Sequence, residues 1–468
     1  MNTLDEGVDE RLQAVRIAND PARMQALLGG CLLRRGRGER LESLAIQRIF
    51  YLPGVDFSAV YDVRLATDGE KATQILFGSI SYEGDAARQF AKAESKAAKG
   101  KLVAPGLGAP AYYLPEIDMV LWAYPNDPKL KALRRNVEPE AVREALVHLG
   151  GPAAAVRDGW RLGAVNQALV RYIPRKRCVF RYEIEWRQER GPDGAPRSLP
   201  AVVLQHVFGK VYDSDEPGRE AFAVLAGLWR ASQGDARWLR VPRPLHYDPG
   251  LRTLWQAALP GSHLAVQAGQ VEPRLAAAIG RGLALLHQAR LQVRPLLTLD
   301  DELVKLRQAV RLVLRVHPEF GAPLAHIEAA LERALPGLSR LPLVPAHGTF
   351  KLNHLLHDGK AVGLIDFDSV VLADPLYDVA NFTSDLHYLE AQGVLPPGRA
   401  AKLAHAFHES YAMHAPWGRR DTVLDWYVAS LLVRKQALKC VKHLHANAAP
   451  KIHAVLQEAV SRLGRSEN

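Results

Sequence analysis

The residues of this chain best suited to chemistry lie in one short stretch. His347-Gly348-Thr349-Phe350-Lys351-Leu352-Asn353-His354 gathers two imidazoles, a hydroxyl, an ammonium and an amide. Val362-Gly363-Leu364-Ile365-Asp366-Phe367-Asp368 follows, with two carboxylates at the end of a short apolar run, and then Ala373-Asp374-Pro375-Leu376-Tyr377-Asp378-Val379-Ala380. Carboxylates so placed can offer hard oxygen ligands to a divalent cation, or they can close a β-turn. A threonine hydroxyl cannot accept a proton near neutral pH, and imidazole is a softer ligand than an amide oxygen, poorly suited to Mg²⁺. Asp374 and Asp378 are suited to capping a helix.

In type and spacing this series resembles the aminoglycoside phosphotransferase family, whose pattern is H-G-D-x-x-x-x-N, then I-D-[FW]-[DEG], then D-P-x-x-D-[LV]-A. The resemblance runs from His347 to Ala380. It implies a kinase of small molecules that uses ATP with Mg²⁺ or Mn²⁺, because a transferring phosphoryl group needs its oxygens neutralised. By the same resemblance Asp366 is the metal-binding aspartate, Asp368 a further carboxylate that could serve as a relocated base, and His347 the histidine that organises the loop. Lys351 falls where protein kinases carry a lysine beside the transferring phosphoryl group. Two positions depart from the pattern. Thr349 stands at the catalytic aspartate, and His354 at the second metal-ligating asparagine, with Asn353 able to substitute if the loop shifts by one residue. Loss of the general base costs about 10²–10⁴-fold, although positioning and electrostatics dominate a loose phosphoryl-transfer transition state. An enzyme with altered machinery, a nucleotide-binding pseudokinase with a regulatory or scaffold role, and non-phosphoryl transfer on the same fold all stay open.

The nucleotide-binding parts implied by the resemblance lie upstream. Lys210, in Phe208-Gly209-Lys210-Val211-Tyr212, is placed like the lysine that pairs with the α- and β-phosphates, with Glu220 as its ion-pair partner. No G-x-G-x-x-G loop is present. The turn Pro174-Arg175-Lys176-Arg177 offers the cations of Arg175 and Lys176 for phosphates instead, and Leu254-Trp255-Gln256-Ala257 occupies the hinge position, where Trp255, Gln256 and Ala257 would meet the adenine edge.

These residues have to be positioned by a larger frame. Apolar residues at helical spacing mark residues 8–45 as helical, with a break at Asp20-Pro21. From Ile46 the pattern turns to short β-rich runs, and it returns further along the chain. Phe50-Tyr51-Leu52-Pro53 and Val60-Tyr61-Asp62-Val63 resemble Arg171-Tyr172-Ile173-Pro174 and Phe180-Arg181-Tyr182-Glu183. Leu76-Phe77-Gly78-Ser79 matches Val207-Phe208-Gly209-Lys210, and Met119-Val120-Leu121-Trp122 matches Thr253-Leu254-Trp255-Gln256. The second copy carries a polar insertion at residues 187–194, read as a lengthened hairpin loop. The first copy has Ser79 in place of the lysine. After Pro260-Gly261 the chain reads as helical, apart from a β-rich island over residues 343–371 and an interruption at Pro416-Trp417-Gly418.

The expectation is therefore a protein-kinase-like α+β fold. A helical segment (1–45) precedes a degenerate N-lobe-like domain (46–150), an N-lobe carrying the ATP lysine (151–260) and a helical C-lobe (261–468). The 468 residues, 48% hydrophobic and 24% charged, suit a soluble multidomain protein. Cys31, Cys178 and Cys440 form neither a disulfide framework nor a metal knuckle and fit a reducing cytoplasm. No stretch is apolar enough to span a membrane, and the N-terminus does not read as a secretory signal. The formal charge of +10 comes without a nucleic-acid module. Together with the basic run Arg434, Lys435, Lys439, Lys442, His443 and His445, it suggests a small anionic acceptor; a pseudokinase would instead have a protein partner.

Overall fold

The computed structural model describes residues 10–149, 160–190, 196–235, 237–293 and 296–466. The chain divides into two compact units, Met1–Phe222 with Pro244–Ala258, and Ala223–Arg243 with Leu259–Asn468.

The first unit begins with α1 (Leu12–Ala18) and α2 (Pro21–Arg35). Asp20 caps α2 by accepting from the Ala22 and Arg23 amides, and Pro21 fills the first helical position. Strand β1 (Arg40–Leu52) starts several residues before the position at which the sequence pattern turns to β. It is followed by β2 (Asp56–Ala66), β3 (Lys71–Ile80), α3 (Ala86–Ala98), β4 (Ala111–Leu114), β5 (Met119–Ala123) and α4 (Pro139–Val147). A second series has the same plan: β6 (Trp160–Ile173), β7 (Arg177–Arg190), β8 (Pro196–Tyr212), α5 (Asp215–Ala231), β9 (Pro244–Asp248) and β10 (Thr253–Ala257). The lengthened hairpin loop falls partly outside the described residues, at 191–195.

Both sheets are antiparallel and share one permutation, β1-β2-β3-β5-β4 and β6-β7-β8-β10-β9, each with a helix between its third and fourth strands in chain order. The equivalence extends to side chains. A Cβ on Gly78 would lie 2.2 Å from Met119, 3.0 Å from Leu121 and 3.1 Å from Tyr61; one on Gly209 would lie 3.0 Å from Tyr182 and 3.2 Å from both Thr253 and Trp255. Each glycine therefore leaves room for a tyrosine from the second strand and two side chains from the fifth.

Because side chains alternate along a strand, the faces used by the two sheets can be compared. Val60, Phe77, Val120 and Trp122 of the first sheet share one core with Tyr182, Val207, Val211 and Trp255 of the second. Phe77 corresponds to Phe208, which lies on the same face of its strand as Lys210. The face of the first sheet equivalent to the lysine-bearing face of the second is thus buried in the core that joins them.

The second unit is mainly helical: α6 (Pro273–His287), α7 (Leu299–Leu314), α8 (Gly321–Ala334), α9 (Leu376–Ala391), α10 (Arg399–His414), α11 (Asp421–Leu431), α12 (Leu438–Lys442) and α13 (Ala448–Ser466), with a π turn at Leu432–Ala437. The expected interruption near residue 416 separates α10 from α11. A further break follows α12, where Leu444 and Asn447 take positive φ. Short strands β11 (Ser262–His263), β14 (Leu355–His357) and β15 (Val362–Leu364) form one sheet; β12 (Leu296–Leu297), β16 (Val371–Ala373) and β13 (Val344–Ala346) form another. The predicted β island is thus split between two small sheets, and the chemical residues lie on the connections between their strands. The mixed α+β class and the repeated sheet agree with the sequence reading.

Candidate active site

In the second unit the loop after β13 carries His347 to His354, and the connection after β15 carries Asp366 to Ser369. Asp378, on the first turn of α9, holds the first of these loops. Its carboxylate is fully buried and accepts from the backbone amides of His347 and Gly348, the latter at 2.9 Å. It also lies 3.2 Å from His287 Nε2, and His287 Nδ1 lies 2.8 Å from the Tyr411 hydroxyl. Burial alone would raise the Asp378 pKa, but the His287 hydrogen bond and charge, with the His347 contacts, hold it below the ordinary value.

The two loops are joined at Ile365. Its amide donates to the His354 carbonyl at 3.0 Å, and its carbonyl accepts from His347 Nε2 at 3.1 Å. His347 is therefore protonated on Nε2 and wedged edge-on between Phe350 and Phe367, which makes it the organiser of the loop. Gly348 (φ 80°) lets the backbones close up: a Cβ there would lie 2.1 Å from the Ser369 carbonyl oxygen. Asp366, the residue after the clamped Ile365, adopts the left-handed conformation (φ 71°, ψ 61°). Only a few per cent of non-glycine residues take positive φ, which makes such strain a functional pointer.

His354, which stands where the family pattern has asparagine, is buried with Nε2 3.5 Å from the Asp366 carboxylate. Asn353 is exposed, and its carbonyl accepts from His263 Nδ1 at 3.0 Å. The loop therefore does not shift by one residue to bring Asn353 against Asp366; the 3-10 turn Leu352–His354 places the imidazole there. Among the described residues no group of three or more His, Cys, Asp or Glu side chains could hold a metal. A divalent ion of the phosphoryl-transfer kind needs fewer protein ligands, because phosphate oxygens complete its shell. The donors present fit such an ion through Asp366, with Asp368 two residues on and His354 bracing the Asp366 carboxylate. Thr349 is half-buried beside Gly348.

In the first unit Lys210 sits near the C-terminal end of β8, paired across to Val179 and Leu254 and 7% exposed. Glu220 lies on α5 off the buried face formed by Gly218, Ala221, Leu225 and Leu228, and is exposed. Two expectations need correction. Arg175, predicted to grip phosphates, has positive φ, pairs with Asp56 at 2.6 Å, gives its backbone amide to Asp127 and lies over Phe77. Lys176 lies over Phe50. Both cations of the β6–β7 turn thus fasten it to the first sheet. Trp255, predicted at the adenine edge, is fully buried in the core with its ring 4.9 Å from Tyr182; Gln256, by strand alternation, is on the Lys210 face, and Ala257 follows at the strand end.

The sequence reading did not single out Asn381, Asp385 or the individual role of Lys435. Lys435 Nζ donates to the Gly348 carbonyl at 2.9 Å and to the Asn381 side-chain oxygen. Its neighbour Arg434 meets the buried Glu302 at 2.5 Å and the Tyr377 hydroxyl at 2.7 Å. The available signal was the run Asn381, Thr383, Ser384 and Asp385, polar residues on a helix buried on nearly every side.

Residues 202–420 match the phosphotransferase enzyme family, APH. The match takes in the later part of β8, with Lys210, and the whole of the His347–Ala380 series, so the aminoglycoside-phosphotransferase-like character read from the motifs holds over that segment. No curated protein matches the chain. Similar solved structures include a choline kinase from Cryptosporidium parvum Iowa II, with 10% identity, TM-score 0.45, and coverage of 70% of this chain and 96% of that one. Others are an amicoumacin kinase in complex with AMP-PNP, Ca²⁺ and its ligand (12%, 0.44, 71% and 96%) and a spectinomycin phosphotransferase in complex with ADP and spectinomycin (10%, 0.42, 63% and 92%). No helix among the described residues is long and apolar enough to cross a membrane.

Proposed function

We propose, taking residues 202–420 as a phosphotransferase-family segment, that this chain binds ATP with a divalent ion and transfers its terminal phosphoryl group to a hydroxyl of a small molecule. The observation that carries this reading is the clamp on Ile365 by His347 and His354, which fixes Asp366 in a strained conformation. A merely structural turn has no need of a fully buried carboxylate, a buried imidazole and a glycine to hold one aspartate in that state. Mg²⁺ or Mn²⁺, held by Asp366 and phosphate oxygens, would neutralise charge on the transferring group. Lys210 is the phosphate-pairing lysine carried over by the resemblance, and Lys351 adds positive charge two residues from Thr349.

Thr349 is a specific observation favouring a second reading, a nucleotide-binding pseudokinase, since its hydroxyl cannot serve as a general base. Thermal shift with ADP or ATP, with and without Mg²⁺ or Mn²⁺, tests what the two readings share. Lys210→Ala should weaken nucleotide binding, Asp366→Asn should abolish its metal dependence, and Ser79→Ala should change neither. Unchanged binding in both Lys210→Ala and Asp366→Asn would sink both readings. Thr349→Asp separates them: turnover rises about tenfold or more in an enzyme that has lost its base, whereas a pseudokinase consumes no ATP in either form.

A further inference from the structure

Beside Thr349 the second unit gathers more positive charge than it uses. Asp385, on α9, is buried, and the Leu352 amide of the His347–His354 loop favours its charged form. Three ammonium groups act on this one carboxylate: Lys439, Lys351 and Lys435. Lys435 is anchored to Gly348 and Asn381. The Lys439 ammonium lies 4.4 Å from the centre of the Tyr388 ring, three residues beyond Asp385 on the same helix. Lys351 precedes Leu352. Among the described residues neither the Lys351 nor the Lys439 ammonium forms a hydrogen bond or a close ion pair; the Lys439 ammonium meets only the Tyr388 ring.

Lys435 also feels Glu302 and Asp378, but Glu302 meets Arg434, and Asp378 meets His287 and two backbone amides; Asp385 is left as the carboxylate facing three lysines. The surplus is held at a cost, because Lys351 works against both other lysines, and burial followed by the Arg434 charge brings Lys435 down to about 7. Burying like charges together without an anion is unfavourable. Arg434 and Lys435 are adjacent in the π turn and meet separate partners, Glu302 with Tyr377 and Gly348 with Asn381, and π turns occur frequently at functional sites.

We propose that Lys351, Lys435 and Lys439 bind an anionic group of the acceptor, a phosphate or a carboxylate, and so bring its hydroxyl to Thr349. This rests on the phosphotransferase reading and adds to it the class of substrate: an acidic or already phosphorylated alcohol. The Lys435 contact to Gly348, the residue before Thr349, puts the anion subsite next to the position of the missing base. Binding energy from a part of the acceptor that does not react can then supply orientation.

A matched set tests this: glucose 6-phosphate, gluconate and glucose titrated calorimetrically into the full-length chain, alone and with saturating MgADP, with tripolyphosphate as a mimic of the nucleotide's phosphates. At least one anionic member should bind, uncharged glucose should not, and MgADP should leave that binding in place. Lys439→Met and Lys351→Met should each weaken it about 10- to 100-fold, with nucleotide binding by Lys439→Met unchanged. Binding of glucose 6-phosphate alone would identify a phosphate, of gluconate alone a carboxylate. Absence of anion binding, or its displacement by both tripolyphosphate and MgADP, would overturn the proposal, the second by assigning the lysines to the nucleotide. In the wild type, acetic anhydride labelling read by mass spectrometry should show Lys351 and Lys439 protected by the bound anion and by no concentration of glucose. Anion binding is scored separately from the Asp366→Asn nucleotide assay, so failure of the anion subsite is distinguishable from failure of the phosphotransferase reading on which it rests.

Discussion

Replacing Asp378 with asparagine preserves its shape and removes only charge and one acceptor, which makes it a direct test of how the loop is held. One carboxylate oxygen receives the His347 amide and lies near His287 Nε2, and the other receives the Gly348 amide. The best orientation of an asparagine keeps its oxygen on the doubly used side and turns its NH₂ toward the Gly348 N–H. Two donors then face each other in a site closed to water. An unsatisfied buried donor costs about 1–3 kcal/mol, and hydrogen bonds to a charged group contribute about 1.5–3 kcal/mol. A loss of roughly 3–5 kcal/mol follows, similar to the cost of removing one partner of a buried ion pair. For a unit of this size each kcal/mol shifts Tm by about 2–4 °C, so scanning calorimetry should show the transition of the second unit falling by on the order of 10 °C. The effect has a pH signature. Because the folded-state pKa of Asp378 is lowered, its contribution is complete above the unfolded carboxylate value near 4 and disappears as pH falls through the folded value. The gap between wild type and Asp378→Asn should therefore narrow below about pH 4. A Tm within about 2 °C of wild type at pH 7 would refute the claim that this carboxylate holds the loop.

Gly348→Ala should combine the left-handed penalty of about 1–2 kcal/mol with a collision against the Ser369 carbonyl, parting the Thr349 loop from the Asp366 loop. Divalent-dependent nucleotide binding should be lost more completely than stability; equal affinity in the variant would remove Gly348 from the argument. Asp374 behaves in the opposite sense to Asp378. Burial raises its pKa from 3.8 to about 6, so the stability it contributes is present below the unfolded value and is lost as pH rises through 6, on the order of 2–3 kcal/mol. Asp374→Asn, which can still accept from the Leu376 amide, should gain in urea-melt stability relative to wild type between pH 4 and pH 7. A pH-independent difference would contradict this.

Much of the second unit was legible because its signals are local. Asp366 follows an apolar run of strand length and Asp374 to Asp378 open a helix, so these residue types stand out within a few positions, whereas the need for Gly348 comes from Ser369 and that for the Asp378 carboxylate from the His347 and Gly348 amides. The repeat was legible for a similar reason, since Gly78 and Gly209 each stand among a tyrosine and paired apolar residues at kept spacings. What could not be read depends on contacts between distant segments. Arg175 looked like a free cation at a hairpin tip because nothing nearby announces Asp56, more than a hundred residues upstream. Trp255 looked like a hinge residue because sequence gives the alternation of a strand but not which face meets the core. Lys435 was visible as one of a basic run, but its contact with Gly348 depends on the phase of a π turn that has no composition signature.

The inward-turned face of the first sheet changes what a mutation there means. Phe77 and Phe208 occupy equivalent places in two copies of one plan, yet Phe77 is sealed in the joint core while Phe208 remains partly exposed beside Lys210. The same substitution, phenylalanine to alanine, would therefore produce a folding defect in one copy and, at most, a binding defect in the other. A genetic screen for lost activity would recover both and could not tell them apart, whereas a screen for lost protein abundance would recover only the first. In the first copy the face equivalent to the lysine-bearing one serves packing, so a substitution there is read in protein level instead of affinity.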